Sequence, residues 1–218
     1  TRSAMAKLKM NPSESTCAVQ GFGNVGSISA KLIERQGVTI VAISDISGAY
    51  YNPDGLDIEE AIKYVQKHKS LEGYKGGKLI SNNELLELDV DILVPAALED
   101  QITEENAARI KAKLIVEGAN GPTASTADDI LEQNGVMVVP DILANAGGVS
   151  VSYFEWVQNR LGYFWTEERV NRRADRVMKQ AFDNVYKAAK EHKCSMRTAA
   201  YIVSIKKVAD TSSLRGIF

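Results

Sequence analysis

Residues 19–37, VQGFGNVGSISAKLIERQG, constrain the fold of this chain more than any other stretch. Gly21, Gly23 and Gly26 form a GxGxxG pattern directly after an apolar run, TCAVQ. The apolar residues that follow recur at helical spacing: Val25, Ile28, Leu32 and Ile33. A glycine loop between a strand and a helix is typical of the first βαβ unit of a parallel sheet. We therefore predict a strand, a tight loop and a helix in this order.

Strand-like and helix-like segments then alternate along the chain. The apolar runs VTIVAIS, VDILVPAA, KLIV and VMVV predict four more buried strands, and amphipathic segments between them predict helices. Asp57 is the expected N-cap of one helix, and Thr103 with Asn106 forms an imperfect capping box for another. This alternation predicts an α/β fold, a Rossmann-like doubly wound and mostly parallel sheet.

The last third of the sequence is almost wholly helical, with breaks near LGYFWT and HKCS. We therefore predict a dinucleotide-binding core over residues 1–150 and a C-terminal helical extension over residues 151–218 that packs on it. Residues 2–10 predict a short amphipathic helix. Because the chain opens at Thr1 and the glycine loop follows so soon, we expect a fragment whose upstream part is missing.

Composition excludes several classes of function. The formal net charge is −2 with acids and bases interspersed, which gives no footprint for nucleic acid. The sequence has no run of about 18 apolar residues, so we predict no membrane span. We expect Cys17 and Cys194 to be reduced and the protein to be cytoplasmic. His68 and His192 lie in charged helical segments, so we predict no metal site.

The glycine loop and a downstream carboxylate predict a site for NAD. Gly21 permits the tight turn, Gly23 lets the backbone approach a pyrophosphate, and Gly26 lets helix and strand pack closely. The helix-start amides near Asn24 and Val25 would meet the phosphate charge. Asp45 lies 19 residues past Gly26, near the usual spacing of about 20, and would accept the ribose hydroxyls while repelling a 2′-phosphate. The alternative is a plain glycine turn with a capping aspartate.

Three more loops follow predicted parallel strands and should meet the glycine loop at the same sheet edge. Ala96 and Ala97 would let a flat group lie close, or would simply form a tight turn. Asn120 could bond a carboxamide or ribose, or could be a left-handed turn residue before Gly121. Asn145 could face the cleft or cap the next helix.

These motifs resemble the cofactor-binding domain of hexameric, NAD-linked glutamate dehydrogenases. The resemblance covers essentially the whole chain and rests on QGFGNVG, NPDGLD, ELLELDVDILVPAALE, IVEGANGPT, VPDILANAGGVSVSYFEWVQN and MRTAAYIVSIKKVA. It implies that the cofactor touches Phe22, Gly23, Asn24, Val25, Asp45, Ile46, Ala96, Ala97 and Asn120. It further implies that Asn145 lies by the nicotinamide and substrate, and that Val149 and Ser152 line the pocket for the glutamate side chain.

The resemblance also implies a reaction and a missing part. The family oxidises L-glutamate by hydride transfer from Cα to NAD, and hydrolysis then gives 2-oxoglutarate and ammonia. Its catalytic lysine and aspartate come from an N-terminal substrate domain, so we expect no catalytic residue in this chain and a homohexamer for the full-length enzyme. Two alternatives stay open: a leucine- or phenylalanine-type dehydrogenase, and a stand-alone NAD-binding module.

Overall fold

The computed structural model describes residues 1–216, and these contain one seven-stranded sheet. In chain order the strands are β1 (Thr16–Gln20), β2 (Thr39–Asp45), β3 (Gly48–Tyr51), β4 (Lys78–Ile80), β5 (Ile92–Pro95), β6 (Leu114–Val116) and β7 (Met137–Val139). Across the sheet they lie in the order β4-β3-β2-β1-β5-β6-β7. The five neighbouring strands β2, β1, β5, β6 and β7 are parallel to one another. At one edge of the sheet, β3 pairs antiparallel with β2 and β4 pairs antiparallel with β3.

Nine α-helices lie in the described part of the chain. They are α1 (Arg2–Leu8), α2 (Asn24–Glu34), α3 (Ile58–His68), α4 (Asn82–Leu86), α5 (Ser125–Gln133), α6 (Asp141–Ala144), α7 (Ala146–Leu161), α8 (Glu167–His192) and α9 (Met196–Leu214). Asp57 caps α3 as predicted, since its side chain accepts a 2.8 Å hydrogen bond from the amide of Glu60. Such a cap satisfies one of the amides that a helix start leaves without a partner.

Helices cover both faces of the sheet. On one face, Ala18 of β1 and Leu93 of β5 share a buried cluster with Leu85 of α4 and Leu131 of α5. Side chains alternate along a strand, so Val19 points to the other face. There α2 lies close, because a Cβ added to Gly26 would be 3.3 Å from Cγ1 of Val19. The predicted mostly parallel, doubly wound α/β fold is thus confirmed.

The chain divides into two compact units, one spanning Thr1–Asp141 and one beginning at Ile142. The first holds the whole sheet. In the second, α7 packs against α8 and α8 packs against α9. The roles predicted for residues 1–150 and 151–218 remain predictions.

Two local predictions were wrong: the helix at Thr103 and the loop after β7. The helix expected at Thr103 is a single 3₁₀ turn, Ala107–Arg109. Two strands were also missed in the sequence, because residues 48–51, GAYY, form β3, and β4 follows it. The stretch after β7, expected to be a loop, is helical from Asp141 onward except at Asn145.

The two cysteines and two histidines lie outside the predicted site, and Cys194 lies between α8 and α9 rather than in the core or a helix, where it was expected. Cys17 is fully buried in β1 and Cys194 is half-buried, and both are free thiols. Burial raises the pKa of the Cys17 thiol far above its ordinary value, which keeps it protonated and unreactive. His68 and His192 are exposed. In residues 1–216, none of the helices combines the length and apolar character needed to cross a bilayer.

Candidate dinucleotide site

The predicted cofactor residues of the first unit meet at one edge of the sheet. The glycine loop follows β1, Asp45 ends β2, Ala96 follows β5, and Asn120 lies beyond β6. Because these strands are parallel, their carboxyl ends share an edge. The chain runs outward from β1 to β4 and then returns to β5, so the strand order reverses between β1 and β5. Ligands of open α/β sheets bind at such a switch point.

The three glycines of the loop have different structural roles. Gly21 has φ +88°, and a Cβ there would lie 2.7 Å from the backbone of Ala97. A Cβ on Gly26 would lie 1.7 Å from the carbonyl oxygen of Gly21. Around Gly23 no atom lies within 4 Å of an added Cβ. Gly21 and Gly26 therefore allow backbones to touch, whereas Gly23 borders open space that a ligand can fill.

The start of α2 presents amides toward that open space. Its N-cap is Gly23, so no side chain caps the helix. The first amides of a helix have no partner within it, and those of Asn24, Val25 and Gly26 are of this kind. Together with the helix dipole they favour an anion. Phe22 also belongs to this loop, but its side chain is buried, so only its backbone can contribute to a ligand site.

Ser44, which sequence reasoning missed, ties the glycine loop to the end of β2. Its carbonyl accepts a 2.6 Å hydrogen bond from the amide of Phe22, and its hydroxyl accepts one of 3.2 Å from the amide of Gly21. Ser44 is 1% exposed. A buried polar residue at the end of an otherwise apolar strand was the available signal, because such groups are retained where they are hydrogen-bonded.

Asp45 and Ile46 lie at a hairpin between β2 and β3. Asp45 pairs with Gly48, so only Ile46 and Ser47 form the connection. The carboxylate of Asp45 is half-buried, and the side chain of Ile46 is fully exposed. A carboxylate at this position can accept a ribose hydroxyl, and an exposed apolar side chain beside it can contact a flat base.

Ala96 and Ala97 lie directly against the glycine loop. The amide of Ala96 donates to the carbonyl of Gln20 at 2.8 Å, which fixes this turn to the end of β1. A Cβ on Gly118 would lie 3.0 Å from Cβ of Ala96 and 3.4 Å from Cγ1 of Val25. Ala96 and Ala97, which were predicted from the sequence, thus pack closely with Gly21 and with Gly118, which was not predicted.

Two carboxylates that sequence reasoning missed shape the loop that holds Asn120. Glu117 is fully buried, and its Oε2 accepts a 2.7 Å hydrogen bond from the amide of Asp141. Oδ2 of Asp141 accepts a 2.8 Å hydrogen bond from the amide of Gly121. Asn120 lies in the loop that these two hydrogen bonds hold, and it is exposed at the sheet edge. The next residue, Gly121, has a left-handed backbone conformation with φ +57°. Charged residues directly after strands were the available signal.

The remaining predicted residues belong to the second unit. Asn145 is the N-cap residue of α7, but its side chain makes no capping hydrogen bond there. Val149 is 77% exposed, and Ser152 is exposed on the same helix. Ser150 donates its hydroxyl to the carbonyl of Ala146, whereas within residues 1–216 Ser152 makes no such bond back to its own helix. The hydroxyl of Ser152 thus remains available to a ligand.

The described residues include no cluster of His, Cys, Asp and Glu that could hold a metal ion. The site in the first unit is instead built from backbone amides, small residues and one carboxylate. Such a donor set suits a phosphate-linked ligand with ribose hydroxyls. The sheet order and this edge together define a Rossmann-like α/β domain.

Comparison with known proteins identifies the family. A sequence model of the glutamate/leucine/phenylalanine/valine dehydrogenases matches residues 1–216, so the chain belongs to this family. It is 54% identical over 216 residues to the glutamate dehydrogenase of Thermotoga maritima, covering 99% of this chain and 52% of that protein. It is 48% identical over 220 residues to the NAD-specific enzyme of Clostridioides difficile, again covering 99% and 52%. It is 52% identical over 200 residues to the NADP-specific glutamate dehydrogenase A1 of Halobacterium salinarum, covering 91% and 48%.

Solved structures agree with the sequence comparisons. The glutamate dehydrogenase of Peptoniphilus asaccharolyticus superposes with a TM-score of 0.86 at 39% identity, over 100% of this chain and 51% of that one. The hetero-hexameric glutamate dehydrogenase of Thermus thermophilus, in its Leu-bound form, gives 0.92 at 29% identity, over 100% and 51%. This chain spans about half the length of the relatives it matches.

Proposed function

We propose that this chain is the dinucleotide-binding half of a glutamate dehydrogenase subunit. One observation carries the proposal: the uncapped start of α2 lies beside a surface of backbone and small residues at the switch point between β1 and β5. Gly21 packs against Ala97, and Gly23 faces open space. The open space at Gly23 lets an extended anionic ligand approach the helix amides.

The residues present fit a nicotinamide dinucleotide. The amides of Asn24 and Val25 suit the pyrophosphate, and Asp45 suits the adenosine ribose. Ala96, Ala97 and Asn120 border the path toward the nicotinamide, and the resemblance assigns Asn145 to the same end. When bound, the nicotinamide supplies the hydride acceptor for substrate oxidation.

NAD is the proposed cofactor. Asp45 carries a negative charge at the position where NADP would place its 2′-phosphate, and two like charges at contact distance disfavour binding. Family membership alone leaves the choice open, because the relatives include both NAD-specific and NADP-specific enzymes. The charge of Asp45 therefore carries this part of the proposal.

L-Glutamate is the proposed substrate, with 2-oxoglutarate as the product. The exposed face of α7 presents Val149 beside the available hydroxyl of Ser152, and this hydroxyl can donate a hydrogen bond to a side-chain carboxylate. An apolar residue there would suit a leucine- or phenylalanine-type enzyme instead.

The acid–base groups of the reaction are proposed to lie in the part of the subunit outside this chain. The relatives named as glutamate dehydrogenases are about twice as long as this chain. We also propose that the complete subunits assemble as a hexamer, as the Thermus thermophilus relative does by its description. In this division of labour the present chain binds and orients the cofactor.

Calorimetry with NADH and a glutamate-dependent NAD-reduction assay test this proposal on residues 1–218. We expect NADH binding without turnover, because loss of general acid–base groups removes about 10²- to 10⁴-fold in rate and lost positioning adds to that. The complete subunit is the positive control for turnover. Robust glutamate oxidation by residues 1–218, or no NADH binding at all, would contradict the proposal.

A further inference from the structure

The carboxylate of Asp45 already holds three hydrogen-bond donors from its own chain. Oδ1 accepts from the amide of Ser47 at 2.8 Å and from the hydroxyl of Ser47 at 2.5 Å. Oδ2 accepts from the amide of Leu71 at 2.6 Å. A carboxylate offers about four acceptor positions, so about one is left for a ligand. An adenosine ribose presents two hydroxyls, which is one more than Asp45 can accept in this state.

The three donors differ in how readily a ligand can displace them from the carboxylate of Asp45. Leu71 is fully buried, so its amide would lose its partner at a high cost if it left Asp45. The amide of Ser47 is fixed by the two-residue connection between β2 and β3. The hydroxyl of Ser47 is on an exposed residue and needs only a rotation about χ1 to leave. It is therefore the exchangeable donor.

We propose that Ser47 is a specificity-determining residue of the dinucleotide site, because its hydroxyl competes with the adenosine ribose for Oδ1 of Asp45. This inference rests on the proposed function, since it requires a ribose at Asp45. Binding of NAD(H) then includes the cost of displacing this hydroxyl. A 2′-phosphate has no hydrogen to donate to Asp45, so NADP(H) gains nothing from the vacated oxygen.

The chain contains a matched control for this arrangement. Oδ1 of Asn11 accepts from the amide of Ser13 at 3.3 Å and from its hydroxyl at 3.0 Å, so the bonding pattern is the same. Ser13 is exposed and precedes β1, at the end of the sheet opposite to the glycine loop. Removing the hydroxyl of Ser13 should therefore affect local structure in the same way without touching the ligand.

The test measures dissociation constants of NADH, NADPH and 2′-deoxy-NAD for residues 1–218 and its variants by calorimetry. Ser47→Ala should bind NADH about 3- to 10-fold more tightly, the value expected from one intramolecular hydroxyl–carboxylate bond. NADPH and 2′-deoxy-NAD should not gain. Ser47→Thr, which keeps a hydroxyl, and Ser13→Ala should both behave as the unmodified chain.

Unchanged or weaker NADH binding by Ser47→Ala, with NADH binding by the unmodified chain intact, would overturn this inference and leave the proposed function standing. An equal gain for 2′-deoxy-NAD would also overturn it, because the gain would not involve the 2′-hydroxyl. Absence of NADH binding by the unmodified chain would overturn the proposed function and this inference together.

Discussion

Gly26 of α2 lies against the carbonyl of Gly21, so closely that an added Cβ would be 1.7 Å from that oxygen. The contact joins the helix start to the turn that leaves β1. It fixes the amides of the first helical turn relative to the sheet edge. The loop can adopt this shape only because residue 26 is a glycine and has no Cβ atom.

Gly26→Ala should destabilise the chain by about 3 kcal/mol, the upper range for overpacking, because backbone atoms on both sides must move. Urea unfolding followed by circular dichroism measures this change. Gly23→Ala is the matched control, since its Cβ would meet no atom within 4 Å. It should cost less than about 1 kcal/mol and instead weaken NADH binding. Equal stability losses for the two variants would contradict the roles assigned to these glycines.

Asp91 should make the stability depend on acid pH. Although burial by itself opposes ionisation, the ammonium of Lys113 at 2.7 Å and the amide of Thr16 at 3.0 Å hold the pKa of Asp91 below its ordinary 3.8. The unfolded chain therefore takes up this proton first as the pH falls. The contribution is complete above pH 3.8 and is lost progressively below it.

Asp91→Asn should accordingly lower the free energy of unfolding near neutral pH by about 1 kcal/mol and flatten its fall at acid pH. Urea titrations at several pH values between 5 and 2.5 measure both effects. Asp54, an exposed carboxylate in the turn before α3, provides the control variant Asp54→Asn. An unaltered acid dependence in Asp91→Asn would show that this ion pair contributes nothing.

Asp45 should set the cofactor preference. Replacing it by Ser together with Ile46→Arg removes the charge that opposes a 2′-phosphate and adds one that attracts it. The relative affinity for NADPH over NADH should rise by about 1 to 3 kcal/mol, measured by calorimetry. The amide of Leu71 also loses its acceptor, so stability should fall by about 1 to 3 kcal/mol. Equal affinity of the unmodified chain for NADH and NADPH would count against the assignment.

The sequence was informative where local pattern and burial agree. The five parallel strands and the Asp57 cap follow from apolar runs and a capping residue. The hairpin between β2 and β3 was missed because its connection lacks the usual Asn-Gly or Asp-Gly pair. The side chain of Asp45 holds this turn instead, through Ser47, and that contact has no signature in the spacing of apolar residues.

Tertiary packing overrode local preference at two places. Ala107 and Ile110 are both buried against the sheet, which a 3₁₀ turn followed by extended chain allows, so the predicted helix after Thr103 does not form. In α2 only Ile33 of the predicted apolar residues is buried, and Val25, Ile28 and Leu32 are about half exposed. Close approach to β1 selects the small residues Gly26 and Ala30 for the packed face.

The candidate dinucleotide site could be predicted only in part for a physical reason. Loops after parallel strands share an edge whatever their exact structure, so the convergence of Gly21, Ala96 and Asn120 followed from topology. The contacts that hold these loops depend on three-dimensional proximity. Glu117 reaching the amide of Asp141, and Asp45 reaching the amide of Leu71, join residues more than 20 positions apart. No periodicity along the chain encodes such pairs.

Ser152 should help to select glutamate over an apolar amino acid. Gly148 and Ser152 lie four residues apart on α7 and therefore share a helix face with the exposed Val149 beside them. The hydroxyl of Ser152 can donate to a carboxylate, and losing one such charge-assisted bond should lower kcat/KM for glutamate about 10-fold or more.

In the complete subunit, Ser152→Val should show this fall while the efficiency with norvaline is spared. Ser150→Ala is the control, because that hydroxyl is already bonded to the carbonyl of Ala146 and should leave both efficiencies unchanged. If Ser152→Val lowers kcat/KM for glutamate and norvaline together, Ser152 has a structural role, and the substrate assignment loses its strongest local support.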